Sequence, residues 1–505
     1  MGLERKYVSR LVPENPRVTT VLLIMVAIVN SATLGYDTSM MNGLNILPQY
    51  KDYFHLNTAT TGLNNASLWI GNILGCFLIQ PVPDYLGRRP AILVAATICL
   101  VGCIIQGAAQ NMGMFVVGRI IIGIGSELSC GACPVLLGET LPPARRGALL
   151  GFFFSCFYMG SLMAAGVNYR MVGIDTTWAW RIPSVLQSVP SLLAIGLLPF
   201  VPESPRWLLA NKKPDAAKEV LGVVIGVKSL EDPDFVRVFN EISTALKTEE
   251  MKQSGSPWKE IISTEANRRR LAILVSFGVM VQLLGNFVAS YYLGDMLTLA
   301  GITDTTIQLQ VNIILSCWAF AVAVVGSFLL DVVGRRPQAL TAMVGIICSL
   351  YLLGGLTKAY GGSDNKSGIY GTIAALFIFQ GFYSIAFTPM TSVYPTEILP
   401  YRIRNTGIAI FRFLDCGFGM MASFTMSFAM TNLGWKFYMA NASYNILFLA
   451  AIYFFWVETA RLPLEEVNKQ FGDPIGADIV DGIDAGVDCD AVGTTATYKP
   501  KMGTY

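Results

Sequence analysis

Residues 84–90 read Asp-Tyr-Leu-Gly-Arg-Arg-Pro, and residues 331–337 read Asp-Val-Val-Gly-Arg-Arg-Pro. A second string, Glu-x-Leu-Pro-x-x-x-Arg, also occurs twice, at 139–146 and at 397–404. In both cases the two copies are separated by about half of the chain, which indicates that one half of the protein repeats the other. All four strings lie between long apolar segments, so they mark polar turns in a duplicated hydrophobic protein.

The composition of the chain is typical of a membrane protein. Of its 505 residues, 53% are hydrophobic and only 14% are charged, and the mean hydropathy is +0.52. A soluble domain usually carries about 25% charged residues. The net charge of +2 does not indicate a nucleic-acid partner, and we expect none.

The ten cysteines lie mostly in apolar segments and are scattered without the spacing of a zinc site. Cys130 and Cys133 form a Cys-x-x-Cys pair, but within a predicted membrane helix, where packing is favoured over redox chemistry or metal binding. The sequence contains no nucleotide-binding loop and no catalytic constellation. We therefore expect no metal, no cofactor and no enzymatic activity.

Twelve segments are apolar enough to cross a membrane, which takes about 20 residues per helix. They lie near 19–43, 62–82, 91–110, 113–138, 146–167, 182–201, 271–294, 308–330, 338–357, 369–394, 407–430 and 436–457. The pattern predicts an all-α membrane protein with twelve transmembrane helices in two pseudo-symmetric six-helix bundles. Paired repeats around a midplane site are typical of secondary transporters.

These segments divide the chain into five regions. An N-terminal stretch (1–18) precedes the first six-helix bundle (19–201), and a linker with short amphipathic helices (202–268) leads to the second bundle (269–457). The tail (458–505) lacks periodicity, and we expect it to be disordered after about residue 472.

Lys and Arg residues predict the orientation of the chain. The linker is rich in both, and the Gly-Arg-Arg turns fall on the same side if the helices alternate. We expect this side, with both termini, to be cytoplasmic, and the plasma membrane is the default location. No cleavable signal peptide is expected, because a polar, charged stretch precedes the first span. Asn365 begins an Asn-Lys-Ser sequon in an external loop and is the predicted glycosylation site.

Several motifs occur in the order found in one transporter family. The string at 84–89 is followed by Pro-Glu-Ser-Pro-Arg-Trp-Leu-Leu at 202–209, which is a highly specific sequence. Val-Glu-Thr at 457–459 then precedes Leu-Glu-Glu at 464–466. This ordered set resembles the sugar-porter branch of the major facilitator superfamily over about residues 20–470.

Three further strings resemble the fungal lactose-permease-like group of that branch. They are Met-Asn-Gly-Leu at 41–44, Gln-x-x-Gly-Asn at 282–286 followed by Ser-Tyr-Tyr-Leu at 290–293, and Tyr-x-x-Glu-Ile-Leu-Pro-Tyr-x-Ile-Arg at 394–404. The resemblance implies a transporter that works by alternating access in the lipid bilayer, and we expect it to function as a monomer.

The duplicated strings supply the predicted gating residues. The aspartate of each Gly-Arg-Arg string lies at a helix end, where it can pair with the arginines. Glu139 with Arg146, and Glu397 with Arg404, are predicted to form pairs that latch the bundles while the site faces outward. The alternative is that these arginines only keep the loops in the cytoplasm. The full predicted set is Asp84, Arg88, Arg89, Glu139, Arg146, Glu203, Arg206, Asp331, Arg335, Arg336, Glu397, Arg404 and Glu458.

Charged residues within a predicted span are functional hypotheses by default, because they are costly in lipid. Asp37 lies late in the first span, and Arg119 lies early in the fourth, eight residues before Glu127. In proton-coupled sugar porters an aspartate binds the proton and an arginine tunes its affinity, so the resemblance implies these roles for Asp37 and Arg119. The alternative for Asp37 is a helix-end carboxylate at the outer interface. Glu127 is either a second proton site or a partner of Arg119.

The seventh span carries the predicted solute site. Proteins bind sugars through amide and hydroxyl side chains beside aromatic rings. The candidates are Gln282, Asn286, Ser290, Tyr291 and Tyr292. The alternative is that they are polar contacts between helices.

Four positions depart from the resembling hexose porters. Phe154 occupies the place of a glutamine, Ala319 that of an asparagine, and Ser392 that of a tryptophan. Asp415 occupies the place of an asparagine. Ser392 and Asp415 are still predicted to bind solute, and Asp415 is expected to select a donor-rich or cationic group or to bind a second proton. The alternative is that Asp415 only pairs with Arg412.

Three functions agree with these features. The favoured one is a proton-coupled symporter of a sugar or sugar-like solute. The second is a transporter of the same fold for another organic solute, such as an exported secondary metabolite, and the four altered positions favour it. The third is a nutrient sensor that no longer transports, which the short tail disfavours.

Overall fold

The computed structural model describes residues 11–140, 153–227, 232–251, 257–361, 363 and 365–460, with a few isolated residues near each end. The regular elements within these ranges are helices. The predicted gating residue Arg146 and the predicted disordered tail lie outside the described residues.

Twelve helical segments of the described chain correspond to the predicted spans. They are α1 (Pro16–Leu44), α2 (Thr58–Cys76), α3 (Arg88–Gly107), α4 (Met112–Thr140), α5 (Phe157–Arg170), α6 (Trp178–Phe200), α7 (Glu265–Leu283), α8 (Thr305–Val333), α9 (Arg335–Tyr360), α10 (Lys366–Ile398), α11 (Tyr401–Leu433) and α12 (Trp435–Phe455). Among the described residues, nine of these are long and apolar enough to cross a membrane by themselves. The other three are α2, α5 and α7.

The helix starts follow from local sequence. Pro16 opens α1, where its missing N–H is not needed, and the Asn15 side chain accepts a hydrogen bond from the next free backbone N–H. Asn57 and Thr60 form a capping box at the start of α2. Asp304 caps α8 by accepting bonds from two backbone N–H groups. Each cap satisfies donors that would otherwise lack partners at a membrane surface.

The second predicted span, 62–82, is shorter in the structure. Helix α2 ends at Cys76, and a separate short helix, Pro81–Leu86, follows it. Pro81 is the reason, because a proline has no N–H with which to continue the hydrogen-bond ladder of the preceding helix.

The seventh predicted span, 271–294, is interrupted rather than continuous. After α7 ends at Leu283, two short helices follow, Asn286–Tyr291 and Leu293–Leu299. Gly285 lies at the break with a φ of 101°, and a Cβ there would lie 2.4 Å from Nδ2 of Asn441. The break therefore needs a glycine, and it leaves backbone carbonyls of the following segment available to partners outside the helix.

The helices form two bundles, α1–α6 and α7–α12. Helix α1 packs against α5 and α4, and the bundles meet where α2 lies along α11 and α5 lies along α8. The Gly-Arg-Arg turns of both halves lie at one end of the molecule, which we call the Arg-rich end. A cavity lies between the bundles, lined by helices from both.

Candidate functional site

The Arg-rich end of the first bundle is organised around Arg88. Its guanidinium pairs with Asp84 at 3.2 Å and with Glu139 of α4 at 3.1 Å. The carboxylate of Glu203, just after α6, accepts hydrogen bonds from the backbone N–H groups of Arg88 and Arg89 at 3.0 and 3.2 Å. These contacts tie the start of α3 to α4 and to the chain that leaves α6.

The second bundle repeats the same cluster around Arg335. This arginine pairs with Asp331 at 3.0 Å and with Glu397 of α10 at 2.7 Å. Glu458, just after α12, accepts bonds from the backbone N–H groups of Arg335 and Arg336 at 2.9 and 3.0 Å. The duplication seen in the sequence is therefore also a duplication of contacts.

Both copies of the Gly-Arg-Arg turn require a glycine at their first position. Gly87 and Gly334 have φ angles of 108° and 102°. A Cβ at either position would lie within 2.7 Å of Oε2 of the glutamate that caps the next helix, Glu203 or Glu458. Only glycine fits both the backbone angle and the space.

Glu203 is one of the groups in these clusters whose pKa the surroundings shift. Burial raises the pKa of its carboxyl, and hydrogen bonds from three backbone N–H groups oppose the shift. The three N–H donors therefore favour the ionised form of Glu203.

Each of these two clusters joins helices of a single bundle. One pair that the sequence predicts is therefore different in the structure. Glu397, which was predicted to pair with Arg404, is held instead by Arg335 and by the hydroxyl of Thr459 at 2.6 Å. Arg404 donates to the carbonyl of Leu399 on its own bundle. The reason is the position of the two helices, because the start of α9 places Arg335 beside Glu397 at the end of α10. Arg206 lies in the short helix Pro205–Ala210 of the same region.

The cavity between the bundles has a volume of about 150 Å³. Both bundles line it, and its polar groups are mainly amides and hydroxyls. Five predicted solute residues line it, together with Phe154 and Ala319; the five are Gln282, Asn286, Ser290, Tyr291 and Asp415.

Two predicted solute residues lie apart from this cavity. The hydroxyl of Tyr292 donates to the carbonyl of Ser423 at 2.9 Å, and that of Ser392 donates to the carbonyl of Pro389 at 3.2 Å. The break at Gly285 accounts for Tyr292, because it changes the helical phase and turns this ring towards α11. The Ser392 hydroxyl satisfies a backbone carbonyl of its own helix.

Two asparagines near the end of α1 join the bundles, a role that no motif of the sequence predicts. The Nδ2 of Asn42 donates to the carbonyl of Ala289 at 3.0 Å and to Asn312 at 2.8 Å. The Nδ2 of Asn45 donates to the carbonyl of Tyr291 at 3.1 Å. These bonds join the two bundles at the end opposite the Arg-rich end, where the broken segment after α7 exposes its carbonyls.

Asp37 is fully buried, seven residues before the end of α1. Neither of its carboxylate oxygens has a hydrogen-bond partner among the described residues. Arg119 is also fully buried, and its Nε donates to the hydroxyl of Ser67 at 3.2 Å. The two Nη atoms of Arg119 have no hydrogen-bond partner within the described part of the chain. The predicted pair thus consists of two buried, incompletely satisfied charged groups.

Glu127 pairs with Arg412 of the other bundle, and not with Arg119 as one prediction had it. The Nε and Nη2 of Arg412 contact the two oxygens of Glu127 at 2.8 and 2.6 Å. Its Nη1 contacts Asp415 at 2.9 Å, and Gln282 donates to the other oxygen of Asp415 at 2.5 Å. Asp415 therefore pairs with Arg412 and also lines the cavity, so it is not confined to the ion pair, and its role in solute or proton binding stays a prediction.

This arrangement defines a class of protein. Two duplicated six-helix bundles enclose a midplane cavity with buried charges, which is the architecture of a secondary transporter of the major facilitator fold. The chain belongs to the sugar (and other) transporter family, which matches residues 23–471. This is a family of transporters and not of enzymes.

Similar proteins support the assignment. The MFS-type transporter criB of Aspergillus cristatus is 27% identical over 449 residues, covering 89% of this chain and 92% of that protein. A high-affinity glucose transporter of Kluyveromyces lactis is 26% identical over 487 residues, covering 92% and 87%. The solved structure of the proton:xylose symporter XylE, bound to 6-bromo-6-deoxy-D-glucose, has a TM-score of 0.75 and 23% identity, covering 90% of this chain and 99% of that one. At this identity the structural likeness shows the fold.

Proposed function

We propose that the protein is a proton-coupled symporter that moves a sugar or sugar-like solute by alternating access. The observation that carries the proposal is the carboxyl group of Asp37, which is fully buried and lacks a hydrogen-bond partner among the described residues. An ionised carboxylate in such a position costs several kcal/mol or more, whereas a neutral carboxylic acid costs far less.

A proton on Asp37 removes this cost in the conformation described here. Arg119 supplies the opposite influence, since its two free Nη groups can stabilise an ionised Asp37 when the helices move. A conformational change that alters the distance between them would bind and release one proton per cycle. The similarity to a proton:xylose symporter supports this coupling.

The solute site that we propose is the cavity between the bundles. Gln282 and Asn286 provide amide groups, and Ser290 provides a hydroxyl, which are suitable partners for solute hydroxyls. Trp69 and Phe287 supply aromatic faces on the same cavity wall. The similarity to a glucose transporter supports a solute of this class.

Alternating access requires one end of the cavity to open as the other closes. The asparagine bonds of Asn42 and Asn45 close the end opposite the Arg-rich end. We infer that the clusters around Arg88 and Arg335 brace each bundle as it rotates, so that the gating residues act through the rigidity of the bundles.

Uptake by intact cells tests this proposal. The protein would be expressed in a host that lacks its own sugar transporters and supplied with a panel of labelled hexoses, pentoses and polyols, with and without a proton uncoupler. We expect one solute to accumulate, the uncoupler to abolish accumulation, and Asp37→Asn to do the same while it retains solute exchange. Accumulation by Asp37→Asn, or accumulation that the uncoupler leaves unchanged, would show the coupling assignment to be wrong.

A second candidate is a transporter of the same fold for a non-sugar organic solute. Asp415 favours it, because it introduces an acidic group into the cavity, and Phe154 and Ala319 lack the hydrogen-bonding groups expected for a hexose. The same panel, extended to amines and to export assays, separates the two candidates.

We also propose that the protein acts as a monomer in the plasma membrane with the Arg-rich end and both termini in the cytoplasm. Asn365 then faces outward. It is exposed at the start of α10, where its Oδ1 accepts a bond from the N–H of Gly368, and its Nδ2 is the atom that a glycan would modify. A mobility shift on glycosidase treatment that Asn365→Gln abolishes would support this topology.

A further inference from the structure

Two thiols from opposite bundles meet at the Glu127 carboxylate. The Sγ of Cys76, at the end of α2, lies 3.8 Å from Oε1 of Glu127, and the Sγ of Cys416, on α11, lies 3.7 Å from Oε2. The three ligand atoms all lie within 4.8 Å of one another, and all three residues are buried. From this geometry we propose that Cys76, Glu127 and Cys416 form a binding site for a thiophilic divalent cation such as Zn²⁺.

The distances suit a tetrahedral ion. Zinc bonds of about 2.3 Å to sulfur and about 2.0–2.2 Å to oxygen place neighbouring ligand atoms about 3.5–3.8 Å apart. Each sulfur already lies close to this distance from one oxygen of Glu127, Cys76 from Oε1 and Cys416 from Oε2. A small movement of one sulfur atom brings both sulfurs and one oxygen of Glu127 to these separations. A water molecule or the second oxygen of Glu127 supplies the fourth ligand.

The local charge also favours a cation. Arg412 is shared by two carboxylates, Glu127 and Asp415, so the cluster carries one more negative charge than positive when both are ionised. Binding breaks two S–H bonds and forms two S–metal bonds, and the two protons leave to solvent. One divalent cation thus replaces two protons, and the net charge of the cluster does not change.

Arg412 holds both oxygens of Glu127, and the ion must share this carboxylate with it. Arg412 keeps its contact with Asp415 when one oxygen of Glu127 turns to the ion. Arg412 and Asp415 line the cavity, so the ion reaches the site from the cavity side.

The site joins elements that belong to different bundles. Cys76 and Glu127 lie on α2 and α4, whereas Cys416 lies on α11. An ion bound to all three would link the bundles near the middle of the membrane. We therefore expect the ion to stabilise the folded protein and, if the proposed function is correct, to slow alternating access.

Zinc binding by the purified full-length protein tests the proposal without any solute. A phosphine reductant keeps the thiols reduced, and competition with a chromogenic chelator gives the stoichiometry and Kd. We expect one Zn²⁺ per chain and a loss of affinity of at least about ten-fold for Cys76→Ser and for Cys416→Ser. Thermal unfolding should show that Zn²⁺ raises the Tm of the wild-type protein and leaves that of the two variants unchanged.

Cys317 and Cys348 provide matched controls, because both are exposed cysteines on the apolar surface of the second bundle. Replacing either with serine should leave the affinity for Zn²⁺ unchanged. If a serine variant does not fold, judged by gel filtration, the alanine variant at the same position replaces it. Absence of binding by the wild-type protein, or equal affinity in all variants, overturns the proposal.

The consequence for transport needs a separate measurement. Zn²⁺ should slow solute exchange in proteoliposomes of the wild-type protein, and Cys76→Ser should relieve the inhibition. Binding without inhibition would retain the ion site and reject the link between the bundles. A failure of the proposed function would leave the binding result unaffected.

Discussion

Two buried acidic sites lie near the middle of this molecule, and they differ in their partners. Asp37 has no hydrogen-bond partner among the described residues, whereas Glu127 receives two hydrogen bonds from Arg412 and contacts two thiols. Both residues are fully buried, so exposure does not distinguish them. The difference lies in hydrogen bonding, and it suggests opposite roles.

In a buried ion pair with good geometry, the attraction between the charges offsets the cost of removing them from water. The pair also holds together the helices that carry the two residues. Glu127 therefore acts in this conformation as a link between α4 and α11. Asp37 has no hydrogen bond of this kind among the described residues, so we expect its protonation state to follow the conformation of the protein. The comparison teaches that, of two acids in spans, the one without partners is the better candidate for coupling.

The largest expected effect is that of Arg412→Met. This change leaves Glu127 and Asp415 without their shared partner, and breaking a buried ion pair in this way costs about 3–5 kcal/mol. Thermal unfolding in detergent should show a large fall in Tm. Adding Glu127→Gln and Asp415→Asn should restore much of the stability. If Arg412→Met alone keeps the wild-type Tm, the ion pairs of Arg412 do not stabilise the protein.

Glu127→Gln is expected to be milder and sharpens the comparison with Asp37→Asn. A glutamine keeps one acceptor for Arg412 but loses the charge, which costs about 1.5–3 kcal/mol. Proton-driven accumulation should persist in Glu127→Gln, at a lower level of folded protein. If Glu127→Gln abolishes accumulation and Asp37→Asn does not, Glu127 is the proton-coupling acid and Asp37 is not.

Asp415→Asn should change solute selectivity rather than folding. The amide keeps a bond to Arg412 or Gln282, and it removes the acidic group from the cavity wall. We expect relative uptake across the solute panel to shift towards neutral hexoses. An unchanged selectivity together with an unchanged Tm would limit Asp415 to a packing role, and Ser392→Ala serves as a control outside the cavity.

The smallest expected effect is that of Asn42→Ala at the closed end. Two hydrogen bonds between the bundles are lost, each contributing about 0.5–1.5 kcal/mol, so the equilibrium moves towards the state that is open at this end. A cysteine introduced at Ser290, in a background with Cys317→Ser and Cys348→Ser, should react faster with an impermeant maleimide from outside. Slower labelling would indicate that Asn42 stabilises the open state instead.

Much of the fold was predictable because membrane helices have a strong local signal. A run of about 20 apolar residues must satisfy its backbone within the helix, so hydropathy predicts the spans, and nine of the described helices are long and apolar enough to cross a membrane by themselves. The repeated strings predict the two bundles. The exceptions, at Pro81 and Gly285, occur where a single residue overrides the hydropathy pattern. Each of these residues is visible in the sequence, but its effect depends on the neighbours that it meets.

The sequence identified the buried charges of the site but not their contacts, and it assigned Tyr292 and Ser392 to a cavity that they do not line. Sequence alone identified Asp37, Arg119, Glu127 and Asp415 as buried charges, because a charge in an apolar segment is rare and costly. It did not predict that Glu127 would meet Arg412, because these residues are far apart in the chain and belong to different bundles.

The sequence by itself therefore determined the number of spans, the duplication and the family. Only the tertiary structure decided which acid is paired, which asparagines join the two bundles, and that two scattered cysteines converge on Glu127. The physical reason is range. Hydropathy and helix breaks are local properties of the chain, whereas hydrogen bonds across the bundle interface depend on the rotation of each helix about its axis, which is set by packing against all of its neighbours.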